Sequence, residues 1–361
     1  MQAKKRSDLR RLAAGVVTAL ALASAAAEKS PAQIAGNPQR IAFQISTGAT
    51  TGTYFPVGAM LAQLLSHPPG VGRCEPSNIC GPSGLIVSTR ASQGSVSNVL
   101  AVNSGMTTSG LAQADVVALA VAGDGPFRKA GAAKQIRVVA NLYGEDLHLL
   151  AAKNAKIKTV ADLRGKRVSL STEGSGTIVT ARAVLSAYGL TEKTILPNYD
   201  AAEKAVDLLQ AGKLDALFFV GGTPVNLLEQ LLEKDAAFLV PINGAGLKKL
   251  LTRDPYLTPH TIAKGTYGDT PAVETVAVDA LWITEASQPD NLIYAILKAM
   301  YNPANRATLQ TVRLGSHFME VASGAKNATA PLHPGALRYF MEAGVLQPPT
   351  AKATLPAPKK S

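Results

Sequence analysis

Three short clusters of glycine, serine and threonine are the residues of this chain best suited to chemistry. The first is Gly52-Thr53-Tyr54 in "STGATTGTYFPVG". The second is Gly94 and Ser95, with Asn98 one turn later, in "SQGSVSNV". The third is Gly174-Ser175-Gly176-Thr177 in "STEGSGTIVT". Each stands between a short apolar run and a stretch of helical spacing. A helix start leaves backbone N–H groups without partners, and the helix dipole adds roughly half a positive charge there. Glycine lets an anion approach that backbone, and Ser or Thr adds a hydroxyl donor. The chemistry on offer is the seating of a carboxylate or a phosphate.

Nucleotide readings fail on detail. A phosphate loop of the Walker kind needs a Lys after its last Gly, and neither "GATTGTY" nor "EGSGT" has one. A dinucleotide fingerprint needs a third Gly where Val179 stands. Nucleophilic catalysis has little support, since no G-x-S-x-G elbow is present. The five histidines, His67, His148, His260, His317 and His333, are scattered without metal-ligand spacing, and the acids form no obvious pair. His333, in "PLHPGALRYF", reads as a packing or capping residue. No metal and no cofactor are expected. An enzyme would need an acid/base constellation in the site, with His148 or Asp115 the first residues to test.

The elements that must position these clusters alternate in type. "RIAFQI" is a strand, and "YFPVGAMLAQLL" follows as a helix with Pro56 in a tolerated first-turn position. Thr159 to Asp162 reads as a capped turn feeding a strand at 168–170. After the third cluster, Ile178, Ala181, Val184, Leu185 and Tyr188 recur at helical spacing. Ala205, Val206, Leu208 and Leu209 form a second helical face, followed by a buried strand over 214–220. This alternation implies βαβ units and largely parallel sheets, so the class is α/β. Two extended apolar runs, "RVVANLYGEDLHLLAAKN" and "TPAVETVAVDALWITEA", are each broken by polar residues. If each crosses between two lobes, a cleft lies between the lobes, where small ligands often sit. The lobes would then be 37–145 with 279–345, and 146–278.

Composition is that of a globular chain, with 47% hydrophobic and 17% charged residues among 361. Aromatic content of 5% argues against a stacking platform for nucleic acid, so no nucleic-acid partner is expected. "MQAKKRSDLRR", then "LAAGVVTALALAS", then Ala25–Ala27 reads as a signal peptide over residues 1–27, which places the mature chain in an exported, periplasmic setting. Five of the cations lie in that segment against one acid, so the net charge of +11 falls to about +7 without it. Residues 346–361 read as a disordered tail. Cys74 and Cys80, in an oxidising compartment, read as a small local staple; a metal site there would lack a nearby His or third Cys.

Taken together these residues resemble the TAXI family of solute receptors for tripartite ATP-independent periplasmic (TRAP) transporters. The likeness rests on "TGATTGTYFPVG", "SQGSVSNV", "LAQADVV", "VADLRGKRVSL", "GSGT", "KLDALFFVGGTP", "YLTPHTIAKGTY" and "PLHPGALRYF", in that order. It implies a two-lobed periplasmic-binding fold of the type II kind, with the ligand cleft between lobes joined by two crossover strands. It implies a monomer that captures a glutamate-like amino acid or dicarboxylate and delivers it to a TRAP-type membrane permease, without catalysis. It implies ligand contacts at Gly52, Thr53 and Tyr54, at Gly94, Ser95 and Asn98, at Gln113, and at Gly174, Ser175, Gly176 and Thr177. A cysteine pair like Cys74 and Cys80 marks one subgroup. Relatives often carry Pro where this chain has Glu173, and a Glu facing the cleft would repel an anion. A sensory receptor of the same fold, feeding a membrane signalling partner, is the alternative.

Overall fold

The structure, a computed structural model, describes residues 40–69, 74, 79–312, 314 and 319–347. The expected signal peptide, most of the expected tail and His317 lie outside those residues. The chain begins β1 (Ile41–Ser46), α1 (Tyr54–Leu65), β2 (Leu85–Arg90), α2 (Ser95–Asn103), β3 (Ser109–Gln113) and α3 (Ala114–Ala122). A 17-residue strand β4 (Ile136–Ala152) follows. Then come β5 (Arg167–Ser169), α4 (Gly176–Ala187), β6 (Leu196–Asn198), α5 (Ala202–Gln210), β7 (Ala216–Gly221), α6 (Asn226–Glu233), β8 (Ala237–Leu239) and α7 (Gly244–Arg253). Strands β9 (Thr258–Ile262) and β10 (Val273–Glu285) precede α8 (Asp290–Met300), α9 (Arg306–Leu309) and α10 (Pro334–Glu342).

The strands form one sheet in the order β2-β1-β3-β10-β4-β7-β5-β6, with β8 beside β4 and β9 beside β10. It is mixed rather than largely parallel. β1 pairs in parallel with β2 and β3, and β5 does so with β6 and β7. Between these two wings, β10 and β4 run antiparallel to each other and to their neighbours β3 and β7. The reason is directional: a strand that leaves one wing and a strand that returns to it must run oppositely. At about 3.3 Å per residue, β4 is roughly 55 Å long, enough to serve both wings. The β4–β10 register shifts between Ala280 and Leu281 and again between Trp282 and Ile283, and such irregularities bend a strand pair.

Local signals account for the elements. Asp162 accepts from the Lys158 and Thr159 N–H groups, both at 2.9 Å, closing the expected turn ahead of β5. Burial along α4 falls on Ile178, Ala181, Val184 and Leu185, the helical face read from sequence. One apolar cluster holds Phe43, Ile45, Trp282, Ile293, Ile296 and Phe340. Trp282 is fully buried, meets Phe43 edge-on, and donates from Nε1 to Ser109 Oγ at 3.1 Å. A buried side chain of this size stabilises by about 1.5–3 kcal/mol. The larger cluster joins Val96, Val99 and Val117 of α2 and α3 to Ile178 and Val184 of α4, so apolar packing continues from one wing into the other. Cys74 and Cys80 are disulfide-bonded and buried, a loop short enough to contribute only about 2 kcal/mol in the chain-entropy account.

Candidate functional site

Three helices start at one place. α1 begins at Tyr54 after the β1 loop, α2 at Ser95 after β2, and α4 at Gly176 after β5. Residues of all three first turns line a cavity of about 160 Å³, room for on the order of ten waters or one small organic solute. α4 is capped by Ser175, whose hydroxyl accepts from Ile178 N at 3.2 Å and donates to Thr172 O at 2.8 Å. α1 and α2 have no side-chain cap; Ser97 N of α2 is taken by Gly174 O, and the N–H groups at 54–55 and 95–96 are left for whatever enters the cavity.

Of the residues expected at the site, Gly52, Thr53, Tyr54, Gly94, Ser95, Gln113, Ser175, Gly176 and Thr177 all line this cavity. Asn98 and Gly174 do not. Asn98 is fully buried behind it, donating to the carbonyls of Ser46, Thr47 and Leu111 and accepting from Ser92 Oγ. Its amide holds the first loop in shape. Glu173 turns outward to pair with Arg182 at 3.0 Å, with about two-thirds of its side chain exposed. The repulsion that a Glu facing the cleft would bring is therefore absent at this position.

The third loop is rich in glycine because the opposite wing presses against it. A Cβ on Gly176 would stand 1.8 Å from Gln113 Oε1, and one on Gly174 would stand 2.2 Å from Ser97 Oγ. Gly174 O accepts from Ser97 N at 3.1 Å, tying the loop to α2. Further ties surround the cavity. Gly222 N donates to Thr53 Oγ1 at 3.1 Å, Gln113 Nε2 donates to Thr180 Oγ1 at 2.9 Å, and Thr51 bonds Glu203. The wings are thus clasped on several sides of the same hole.

Glu145, on β4, is the residue that sequence reasoning passed over. It is 2% exposed and lines the cavity, where Tyr54 donates to its Oε2 at 2.7 Å. The Tyr54 hydroxyl also lies 3.3 Å from Ser95 Oγ, which in turn accepts from Gln113 N. Burial pushes the Glu145 carboxyl up to about 8, with the Tyr54 hydrogen bond opposing and Asp115, Asp146 and Asp279 adding repulsion. Burial likewise lifts Asp115 to about 7, although Val116 N, Thr180 and Gln113 all bond it. Among the described residues lining the cavity there is no Lys, Arg or His. Any anion held here would have to be met by backbone N–H groups and hydroxyls. The signal for Glu145 was present in "NLYGEDLHLL": two acids inside an apolar strand, where a buried charge needs a partner or a purpose.

The remaining histidines have structural surroundings. His333 caps α10, accepting from Gly335 N at 3.2 Å. His148 is fully buried, 3.0 Å from Asp146 O and 2.7 Å from the Tyr267 hydroxyl, and burial lowers its pKa.

A curled α/β sheet in two wings, with a cavity where helix starts from both wings meet, is the fold of the periplasmic binding proteins. The periplasmic binding protein BugD shares this fold at a TM-score of 0.51 and 12% identity, over 85% of this chain and 95% of that one. The aliphatic sulphonate binding protein SsuA from Escherichia coli aligns at 0.42 and 19% identity, over 84% and 79%. MatC from Rhodopseudomonas palustris, solved with bound malate, aligns at 0.48 and 11%, over 84% and 96%. In sequence, the chain belongs to the NMT1-like family, whose pattern it matches over residues 45–344.

Proposed function

We propose that this chain is a periplasmic receptor that captures a small carboxylate-bearing solute and hands it to a TRAP-type membrane permease. The observation that carries this reading is the convergence of three helix N-termini, two of them without side-chain caps, on one cavity reached from both wings. Aligned N–H groups with positive dipole ends are a seat for a carboxylate, worth typically 0.3–1 kcal/mol per helix and more when partly buried. The donors we assign are the first-turn N–H groups at 54–55, 95–96 and 176–177, with the Thr177 hydroxyl. Thr177 Oγ1 accepts from Val220 N at 3.1 Å, which leaves its proton to give. The Ser175 hydroxyl is already engaged in both directions, so its part is to hold α4 in place. The permease partner and the exported location rest on the ordered blocks of resemblance and on the signal-like N-terminus. The lobes we assign are 37–145 with 279–345, and 146–278, hinged on β4 and β10.

The test is a melting-temperature survey of the ligand-free chain against dicarboxylates, acidic and neutral amino acids, 2-oxoacids, sugars and nucleotides. A ligand at a hundred times its Kd should stabilise by about 2.7 kcal/mol. A carboxylate class should raise the melting point, and Gly176→Ala, which drives a Cβ into Gln113, should erase the effect. A response confined to sugars or nucleotides would overturn the reading.

A further inference from the structure

The lining of the cavity holds two chemically different features. One is the ring of helix starts, electropositive through backbone N–H groups. The other is Glu145, a carboxyl buried to 2% exposure whose one hydrogen bond among the described residues comes from Tyr54. The titratable groups whose charge or hydrogen bonding acts on Glu145 are themselves acids or phenols: Tyr54 from α1, Asp115 from α3, Tyr143 on the same face of β4, Asp146 on its opposite face, and Asp279 from β10. Among the described residues lining the cavity, no cation answers it. A dicarboxylate placed here would bring a second negative charge toward a residue already crowded by acids. A solute that carries both a carboxylate and an ammonium has a group for each feature of this lining.

We propose that Glu145 is the specificity-determining residue of the cavity, accepting the ammonium of an amino acid whose carboxylate sits on the helix starts. This rests on the carboxylate seat proposed above. In the free protein burial keeps Glu145 protonated up to about pH 8. When an ammonium arrives, the carboxyl ionises to pair with it, and its proton passes to solvent. The exchange balances: Glu145–COOH and R–NH₃⁺ become the ion pair Glu145–COO⁻···⁺H₃N–R and one released proton. Capture is therefore linked to pH. Below about 8 each unit of pH lowers the affinity for such a ligand up to about tenfold, because the carboxyl must first lose its proton. Above it the affinity levels off.

Two matched pairs of probes separate the possibilities by calorimetry: L-glutamate against glutarate, and L-leucine against 4-methylpentanoate. Each pair differs only by the ammonium. We expect at least one amino acid to bind up to about a hundredfold more tightly at pH 8 than at pH 6, with proton release, and its ammonium-free twin to bind weakly. Glu145→Gln, which keeps an acceptor for Tyr54, should flatten that pH profile and cut amino-acid affinity at pH 8 more than tenfold. If a twin binds as well as its amino acid, or tighter at pH 6, the Glu145 assignment is wrong and the carboxylate seat stands. If the twins and the amino acids all fail to bind, both readings fall. The wild-type comparison needs no variant, so the outcome does not depend on Glu145→Gln folding well.

Discussion

Glu145 and Asp146 are neighbours on one strand, 2% and 4% exposed, and the fold treats them differently. Alternation along β4 sends them to opposite faces. Asp146 is met on both oxygens, by the Thr223 hydroxyl at 2.5 Å and by His260 Nδ1 at 2.6 Å. Glu145 faces the cavity with Tyr54 alone as its hydrogen-bond donor among the described residues, and burial pushes it up to about 8. A buried acid whose partners are complete is part of the scaffold. One left half-answered beside a hole is available to a ligand.

The sharpest way to break that contrast is to titrate stability in the absence of ligand. Between its ordinary range and about pH 8 the folded chain keeps a proton on Glu145 that the unfolded chain has lost. The unfolded state therefore binds fewer protons, and stability falls as pH rises through this window, by on the order of 4 kcal/mol in total. Asp115, raised to about 7, adds a loss of the same sign. Denaturant unfolding at pH 5 and pH 8 reads the slope. Glu145→Gln should remove the larger part of it, and Asp146→Asn should not. Equal slopes in wild type and Glu145→Gln would show that the Glu145 carboxyl ionises normally and that the contrast is mistaken.

Second in size is the scaffold acid itself. Asp146→Ala strips the acceptor from Thr223 and removes the carboxylate that lies 2.6 Å from His260 Nδ1, a contact that links β9 to β4. Leaving such buried groups without their partner should cost about 3 kcal/mol in unfolding free energy. Ligand preference between an amino acid and its ammonium-free twin should be unchanged. A shift in that preference with intact stability would reverse the roles assigned to the two neighbours.

What the sequence could reveal follows the same division. The three strand–loop–helix junctions were legible because helix starts need special residues locally: Gly94 adopts φ +116°, and Ser175 caps α4. Gly174 and Gly176 were read as letting an anion approach the backbone. What approaches them is Gln113 and Ser97 from the opposite wing, and no local pattern names a partner roughly sixty to eighty residues away. The mixed sheet was hidden for a related reason. Periodicity identifies β4 and β10 as strands, but their direction follows from the chain's passage between wings. Glu145 was passed over because two adjacent acids in an apolar run do not say which of them takes which face, or whether that face is a hole.

The smallest expected effect tests whether the clamp works through backbone or side chain. On one side of the cavity α1 and α2 are uncapped; on the other, α4 carries Ser175. Were the Ser175 hydroxyl a direct ligand donor, Ser175→Ala would remove an interaction with a charged group and weaken binding by tenfold or more. The hydroxyl is instead held between Thr172 O and Ile178 N. Its loss should then appear as a lost cap, about 1 kcal/mol of stability, while the Gly176 and Thr177 N–H groups stay where they are. Affinity for a responding carboxylate should change less than tenfold in calorimetry. A larger loss at unchanged stability would move the donor from the backbone to the hydroxyl, and the two sides of the clamp would then hold the ligand by different means.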